Sequence, residues 1–189
     1  MWGSFGPLYN LNEHSFVRSI HNYLDPNVYK WKIHDTFTGG VPDAFYSGPA
    51  GSLFVEYKYI KQLPKKNTTM LKHSLSKLQE AWLERVYPAT PVALILGVED
   101  TALIILDDFS FGISKMHYID ACISRKDVAE WIFNLTHDGA TYERFKADTS
   151  SRSESAQNLA TEKSRNAFHP SGSSKRPRVV TKRNQPLPK

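Results

Sequence analysis

Three segments carry apolar residues at the three- and four-residue spacing of amphipathic helices. They cover residues 11–24, 77–86 and 125–137. Asn10 or Asn12 is a candidate N-cap of the first helix, because a short polar side chain there can accept a hydrogen bond from the first backbone N–H groups. The pattern predicts three helices, each with one face turned to a core.

The second predicted helix begins with a capping box. Ser76 is placed to cap it, and Gln79, three residues later, to reach back to the Ser76 backbone. Leu78, Trp82 and Val86 then lie along one face of the helix, so we expect these three side chains to point inward.

Strands are predicted where apolar residues alternate with polar ones or form short continuous runs. In order they cover residues 28–36, 42–46, 52–60, 91–97 and 101–107, with a weaker candidate at 111–118. In the first, Tyr29, Trp31 and Ile33 alternate with polar residues, which predicts a half-buried strand. The segment SLFVEYKYI over 52–60 is the strongest strand signal in the chain.

The order of these elements predicts an α/β fold. Short connections between the first three strands favour an antiparallel meander. The helix over 77–86 then provides a crossover to the two apolar strands. We therefore expect a mixed β-sheet flanked by helices.

The charge is divided unevenly along the chain. The formal net charge is +5, but residues 1–147 carry 15 Lys/Arg against 16 Asp/Glu, and residues 148–189 carry 9 against 3. The second segment has too few apolar residues to offset the entropy lost on folding. We predict a folded domain over 1–147 and a disordered basic tail over 148–189.

Cysteine usage and hydropathy exclude several classes of protein. Cys122 is the only cysteine, so neither an intramolecular disulfide nor a cysteine-based zinc site can form. No apolar run reaches the roughly 18 residues of a membrane span, and the first residues lack the pattern of a secretory signal. We expect a soluble, intracellular protein in the cytoplasm, with no membrane partner; nuclear import through the basic tail is left open.

The strands at 42–46 and 52–60 carry the candidate chemistry. Asp43 lies on one, and Glu56 lies 13 positions later on its neighbour, so an antiparallel hairpin can bring the two carboxylates side by side. Lys58 shares a face with Glu56 because strand side chains alternate. Hard divalent cations prefer oxygen ligands, and the Tyr57 backbone carbonyl is a plausible further one. This set can hold a metal ion and position water for phosphodiester hydrolysis.

The alternative for this set is a surface hairpin with an ordinary Glu/Lys pair. Gly-Val-Pro before Asp43 is an unusual entry to a plain strand, and Glu56 and Lys58 interrupt an otherwise apolar strand. These details favour an active site over a solvated hairpin.

The motifs G-V-P-D (40–43), E-Y-K (56–58) and L-S-K-L-Q-E-A-W-L (75–83) resemble the PD-(D/E)xK nuclease superfamily. Within it the sequence looks most like the VRR-NUC type, related to Holliday-junction resolvases and phage-encoded nucleases. The resemblance covers about residues 10–98. It implies a restriction-endonuclease-like fold and cleavage of a nucleic-acid backbone with Mg²⁺, or Mn²⁺ in its place.

The resemblance also implies roles for individual residues. Asp43 matches the core aspartate, Glu56 and Lys58 match the ExK motif, Gln79 matches a glutamine on the following helix, and Glu13 matches an acidic residue on the first helix. Glu13 has an alternative as a first-turn glutamate favoured by the helix dipole. Gln79 has one as the capping-box partner, and both of its roles can coexist.

Lysines and arginines near the site and in the tail are candidate phosphate contacts. Residues 56–98 hold seven basic groups against three acidic ones. The predicted nucleic-acid-binding residues are Lys61, Lys65, Lys66, Lys72, Lys77, Lys175, Arg176, Arg178, Lys182 and Arg183. Each taken singly can also be a solvated surface group, and the tail can equally be a solubilising extension.

The function expected from the sequence is that of a magnesium-dependent deoxyribonuclease with DNA as partner and no organic cofactor. The alternative is a catalytically inactive nuclease fold that binds DNA or inhibits a protein, as an accessory factor. Resolvase-like relatives would imply a homodimer. Three questions stay open: whether the substrate is RNA or DNA, whether it is branched or linear, and whether the protein acts as an endonuclease or an exonuclease.

Overall fold

The computed structural model describes residues 12–87, 89–107, 109–110 and 112–148. The predicted tail, with its basic residues, lies outside this part of the chain apart from residue 148. No helix within the described part is both long and apolar enough to cross a membrane.

The chain forms four bounded helices and eight strands in the described residues. In chain order they are α1 (Glu13–His21), β1 (Tyr29–Lys32), β2 (Ala44–Ser47), β3 (Ser52–Ile60), β4 (Met70–Leu71), α2 (Lys77–Val86), β5 (Val92–Val98), β6 (Thr101–Ile105), β7 (Ile113–Ser114), α3 (Lys115–Ala121), β8 (Ile123–Ser124) and α4 (Arg125–His137). Residues 139–148 are also helical.

Six strands form one mixed sheet in the order β1-β2-β3-β5-β6-β8. Strands β1 to β3 are an antiparallel meander, β3 and β5 run parallel, and β5, β6 and β8 are antiparallel. The parallel pair requires the crossover that contains α2. The predicted mixed α/β sheet flanked by helices is confirmed. Strands β4 and β7 form a separate two-stranded sheet.

Helices cover both faces of the sheet. Phe16 and Ile20 of α1 pack with Ile132 of α4 against one face. On the other face, Leu83 of α2 packs against Leu94 of β5. All seven residues of β5 are buried, as its continuous apolar run predicts for a central strand.

Two of the helix starts have the predicted caps. Asn12 caps α1 and exchanges hydrogen bonds with Ser15, and Ser76 caps α2 in a capping box with Gln79. Helix α1 ends at His21, earlier than the predicted residue 24.

Strand β1 departs from the prediction of a half-buried strand. It spans only Tyr29–Lys32, and all four of its side chains are exposed. β1 is the edge strand of the sheet. Alternating apolar residues do not ensure that another part of the chain packs over a strand in that position.

Two further expectations were wrong. Leu78 is 63% exposed, and Leu83 is the fully buried residue of α2. Residues 111–118 contain only the short strand β7, because Ser114 accepts a hydrogen bond from the backbone of His117 and starts α3 there. A serine N-cap outweighs the weak strand pattern at this point.

Candidate active site

Asp43 lies where the β2–β3 pairing ends. The last paired residues are Ala44 and Val55, so Asp43 comes opposite Glu56 one step further along. Strand β2 does not continue past this point to pair with Tyr57. The Asp43 side chain takes over there, because its Oδ2 accepts a hydrogen bond of 2.9 Å from the Tyr57 backbone N–H.

Glu56 is buried, with 1% of its surface exposed, although it carries a carboxylate. One oxygen, Oε1, accepts a hydrogen bond of 2.5 Å from Lys58 Nζ and another from Gln79 Nε2. The other oxygen, Oε2, is buried and has no hydrogen-bond partner in the structure. A buried acceptor left in this state costs free energy of the order of 1–3 kcal/mol.

Gln79 joins the start of α2 to the carboxylate. Its Oε1 accepts a 3.0 Å hydrogen bond from the Ser76 N–H, and its own N–H donates to Ser76 Oγ over 3.2 Å. Its amide nitrogen donates to Glu56. The predicted capping box and the contact with the site therefore coexist in one side chain.

Three carboxylates influence one another at this place. The pKa of Glu56 is raised to about 7, first by burial and then by the negative charge of Asp43, while the hydrogen bond and charge of Lys58 lower it and Glu13 adds to the rise. Burial also raises the pKa of Glu13, with Lys58 lowering it and Asp43 raising it. Three carboxylates this close to one another, two of them with a raised pKa, would repel one another less with a cation bound between them.

Glu13 reaches the site from α1. It lies in the first turn of that helix and, together with Asp43, lines a cavity of about 240 Å³. The other lining residues are His14, Val17, Arg18, His21, Lys32 and Ala44. A wider cavity of about 430 Å³ between β6, β7 and α3 contains none of the predicted site residues.

The side chains present fit a magnesium site of the open kind. No group of three or more His, Cys, Asp and Glu residues between 12 and 148, gaps excepted, is arranged to hold a metal ion as it stands. Mg²⁺ is commonly held by one or two carboxylates with water and substrate oxygens, so a closed cage is not required. The buried, partnerless Oε2 of Glu56 is the oxygen donor such an ion would satisfy.

A buried hydrogen-bonded chain supports the site from the opposite face of the sheet. His21 Nε2 lies 2.6 Å from the Tyr46 hydroxyl, which lies 2.8 Å from the Tyr57 hydroxyl. The sequence predicted a role only for the backbone carbonyl of Tyr57 and did not predict this chain. The available signal was that a tyrosine on the inward face of a strand needs a partner for its hydroxyl.

The predicted phosphate-contacting lysines within the described residues lie after β3 and at the start of α2. Lys61, Lys65, Lys66, Lys72 and Lys77 are all exposed. Because they are exposed, these lysines are available to contact a polyanion, but their exposure does not identify a partner. The predicted basic residues from 175 to 183 lie outside the described part of the chain.

Comparisons with known proteins add little to what the structure itself shows. No family model matches the chain, and no curated protein matches it. Among solved structures, the 1.6 Å structure of Archaeoglobus fulgidus Hjc, a Holliday junction resolvase from an archaeal hyperthermophile, is similar. It shares 14% identity over 62% of this chain and 99% of that one, with a TM-score of 0.40. A likeness of this size carries no inference about activity.

Proposed function

We propose that this protein is a metal-dependent nuclease that hydrolyses phosphodiester bonds in DNA, with Mg²⁺ or Mn²⁺ as its cofactor. The observation that carries the proposal is Glu56: a buried carboxylate with one oxygen left without a partner, beside Asp43 and within reach of Lys58. An ordinary surface hairpin would leave the Glu/Lys pair solvated.

Asp43 and Glu56 are the metal-holding carboxylates in this proposal. When bound, the ion neutralises charge that develops on the phosphate and lowers the pKa of a bound water. Tyr57 contributes its backbone carbonyl, because the N–H and C=O of a strand residue face the same side and its N–H already points to Asp43. Glu13 acts at the outer side of the same site.

Lys58 and Gln79 are assigned supporting catalytic roles. The Lys58 ammonium lies 2.5 Å from Glu56, where it can orient the attacking water and stabilise negative charge on the phosphate. Gln79 holds Glu56 Oε1 from the other side, so the unpartnered Oε2 is the oxygen turned to the metal. The exposed lysines over 61–77 supply non-specific phosphate contacts.

The rival function is that of a nuclease fold without catalysis, which binds DNA or a protein as an accessory factor. The observation in its favour is that the described acidic residues do not already meet as a metal-holding group. Against it stands the complete set of Asp43, Glu56 and Lys58, because an inactive site has no need to bury a carboxylate.

A cleavage panel tests the proposal. Purified protein is incubated with linear duplex, single-stranded, nicked and four-way-junction DNA and with RNA, each with Mg²⁺, Mn²⁺ or EDTA. We expect cleavage of at least one DNA substrate with either metal and none with EDTA. Binding to these substrates without any cleavage would support the accessory-factor function instead. Sedimentation of the same sample tests the expected homodimer.

A further inference from the structure

Strand β1 presents exposed aromatic residues at the edge of the sheet. Tyr29 is 61% exposed and Trp31 is 54% exposed, and they alternate with Lys30 and Lys32. Two large aromatic side chains at alternate positions of one edge strand form an exposed apolar patch, and such patches mark binding surfaces.

The register of the sheet places these rings on the face that carries the carboxylates. Trp31 pairs with Phe45, and Phe45 pairs with Phe54. Directly paired residues share a face, and so do residues two apart on one strand. Asp43 and Glu56, each two residues from its strand's phenylalanine, therefore lie on the same face as Trp31.

Two parallel rows of side chains follow from this register. Phe45 and Phe54 have ring centroids 4.9 Å apart, and Phe54 and Trp82 of α2 have theirs 5.2 Å apart. Trp31 continues this aromatic row to the exposed edge. The second row is formed by Asp43, Glu56 and Gln79. Asp43 lies two residues from Phe45, the partner of Trp31, so it is a diagonal neighbour of Trp31. The Cα atoms of such neighbours are roughly 7–8 Å apart.

We propose that Tyr29 and Trp31 form a stacking platform for unpaired bases, so that the substrate of the carboxylate site has single-stranded nucleotides beside the cleaved phosphate. This inference rests on the proposed nuclease function. A strand with its phosphate at the acidic row would place a neighbouring base over the aromatic row. Bases stack on aromatic rings whatever their sequence, so a platform of this kind needs no base-specific contact.

Charge favours this occupant over a second copy of the chain. Lys30 and Lys32 are the charged residues of β1, and Lys32 also lines the cavity that contains Glu13 and Asp43. Two such edge strands brought together would oppose like charges, which is destabilising. A polyanion bound at this edge is attracted by the same two lysines, although their side chains lie on the face opposite the rings.

The test measures binding in EDTA, so that it does not depend on cleavage. The probe is a fluorescein-labelled oligodeoxythymidine of about 16 nucleotides, the upper end of common single-strand site sizes, beside a duplex of the same length. Fluorescence anisotropy is measured for wild type, Trp31→Ala, Tyr29→Ala and Trp31→Phe. Tyr23→Ala is the matched control, because Tyr23 is 58% exposed and lies outside β1.

We expect Trp31→Ala and Tyr29→Ala each to weaken single-strand binding roughly 5- to 100-fold, the range for losing one base–aromatic stack. Duplex binding should change little, Tyr23→Ala should match wild type, and Trp31→Phe should retain most of the affinity. Equal losses for both probes, or no loss, would overturn the platform.

Sedimentation of the same variants tests the rival occupant of β1, a second copy of the chain. If wild type dimerises and Trp31→Ala is monomeric with unchanged single-strand affinity, β1 is an interface between copies and the platform is wrong. Single-strand binding through β1 with no cleavage under any metal would contradict the nuclease function while leaving the binding surface intact.

Discussion

Asp43 Oδ2 accepts a hydrogen bond of 2.9 Å from the backbone N–H of Tyr57, so a side chain binds strand β3 just beyond the end of its pairing with β2. The same carboxylate raises the pKa of Glu56 through its charge. Asp43 therefore stabilises the strand through a hydrogen bond and destabilises its neighbour through repulsion. Substitutions can separate these two effects.

Asp43→Asn should keep the hydrogen bond, since an amide oxygen can accept it, and should remove the repulsion. We expect its free energy of unfolding in EDTA to equal or exceed that of wild type. Asp43→Ala loses the acceptor for the Tyr57 N–H and should be about 1 kcal/mol less stable than Asp43→Asn. Denaturant unfolding of the three proteins checks this, and an Asn variant no more stable than the Ala variant would contradict it.

The two roles of Gln79 can be separated by one substitution. Gln79→Glu keeps a capping-box residue but replaces the donor to Glu56 with a second carboxylate. We expect helix α2 to be retained by circular dichroism and the cleavage rate to fall by about 100-fold, the scale for losing a positioned hydrogen bond.

The matched control for this substitution is Ser76→Ala. It removes the N-cap and should lower the free energy of unfolding by about 1 kcal/mol while leaving the Gln79 amide near Glu56 and cleavage near the wild-type rate. If both variants lose activity equally, Gln79 acts through the helix and not through Glu56.

Glu56 gives the metal-free protein a pH-dependent stability. Its folded-state pKa of about 7 lies above the ordinary glutamate value of 4.5, so the folded protein binds this proton more tightly than the unfolded chain. The contribution is fully present at low pH and is lost as pH rises from 4.5 through 7. The loss can reach about 3 kcal/mol, from 1.36 kcal/mol for each pKa unit.

Unfolding in EDTA at about pH 5 and about pH 8 measures this loss. Glu56→Gln has no carboxyl proton to exchange, so its stability should depend less on pH over this range. Mg²⁺ should restore part of the stability of wild type at the higher pH, because it binds the folded protein. Identical pH dependence for wild type and Glu56→Gln would contradict the burial of a charged Glu56.

Tyr46 is the central member of the chain that begins at His21 and ends at Tyr57. Tyr46→Phe removes both hydrogen bonds and should cost about 1–3 kcal/mol in the free energy of unfolding, whereas Tyr57→Phe removes one and should cost less. Thermal unfolding compares them, with the exposed Tyr23→Phe as control. A Tyr57 variant that is the less stable of the two would contradict this order.

Sequence pattern was sufficient for the elements that carry the site. The predicted bounds of β3 agree with the structure, because an apolar, β-rich run follows a Gly/Pro turn. Alternation alone placed Glu56 and Lys58 on one face, and they form an ion pair of 2.5 Å. The crossover through the helix over 77–86 predicted a mixed sheet, and the structure adds that the parallel pair is β3 and β5.

Contacts that depend on tertiary packing could not be obtained in this way. The Gln79 contact with Glu56 joins residues 23 positions apart, and periodicity sets no distance between them. The side chains of β1 are exposed because this strand lies at the edge of the sheet. The alternation of apolar and polar residues in the sequence does not distinguish an edge strand from an interior one. Leu78 was misplaced because the helical pattern does not decide which of the apolar residues of α2 meet the sheet: Leu83 is buried there and Leu78 is exposed.

The most direct test of the central claim is a comparison of DNA cleavage by purified wild type, Asp43→Asn and Lys58→Ala in Mg²⁺, Mn²⁺ and EDTA. The proposed site predicts metal-dependent cleavage by wild type, none in EDTA, and none by either variant, although both keep the fold by circular dichroism. Cleavage by Asp43→Asn at the wild-type rate would show that Asp43, Glu56 and Lys58 are not the catalytic group.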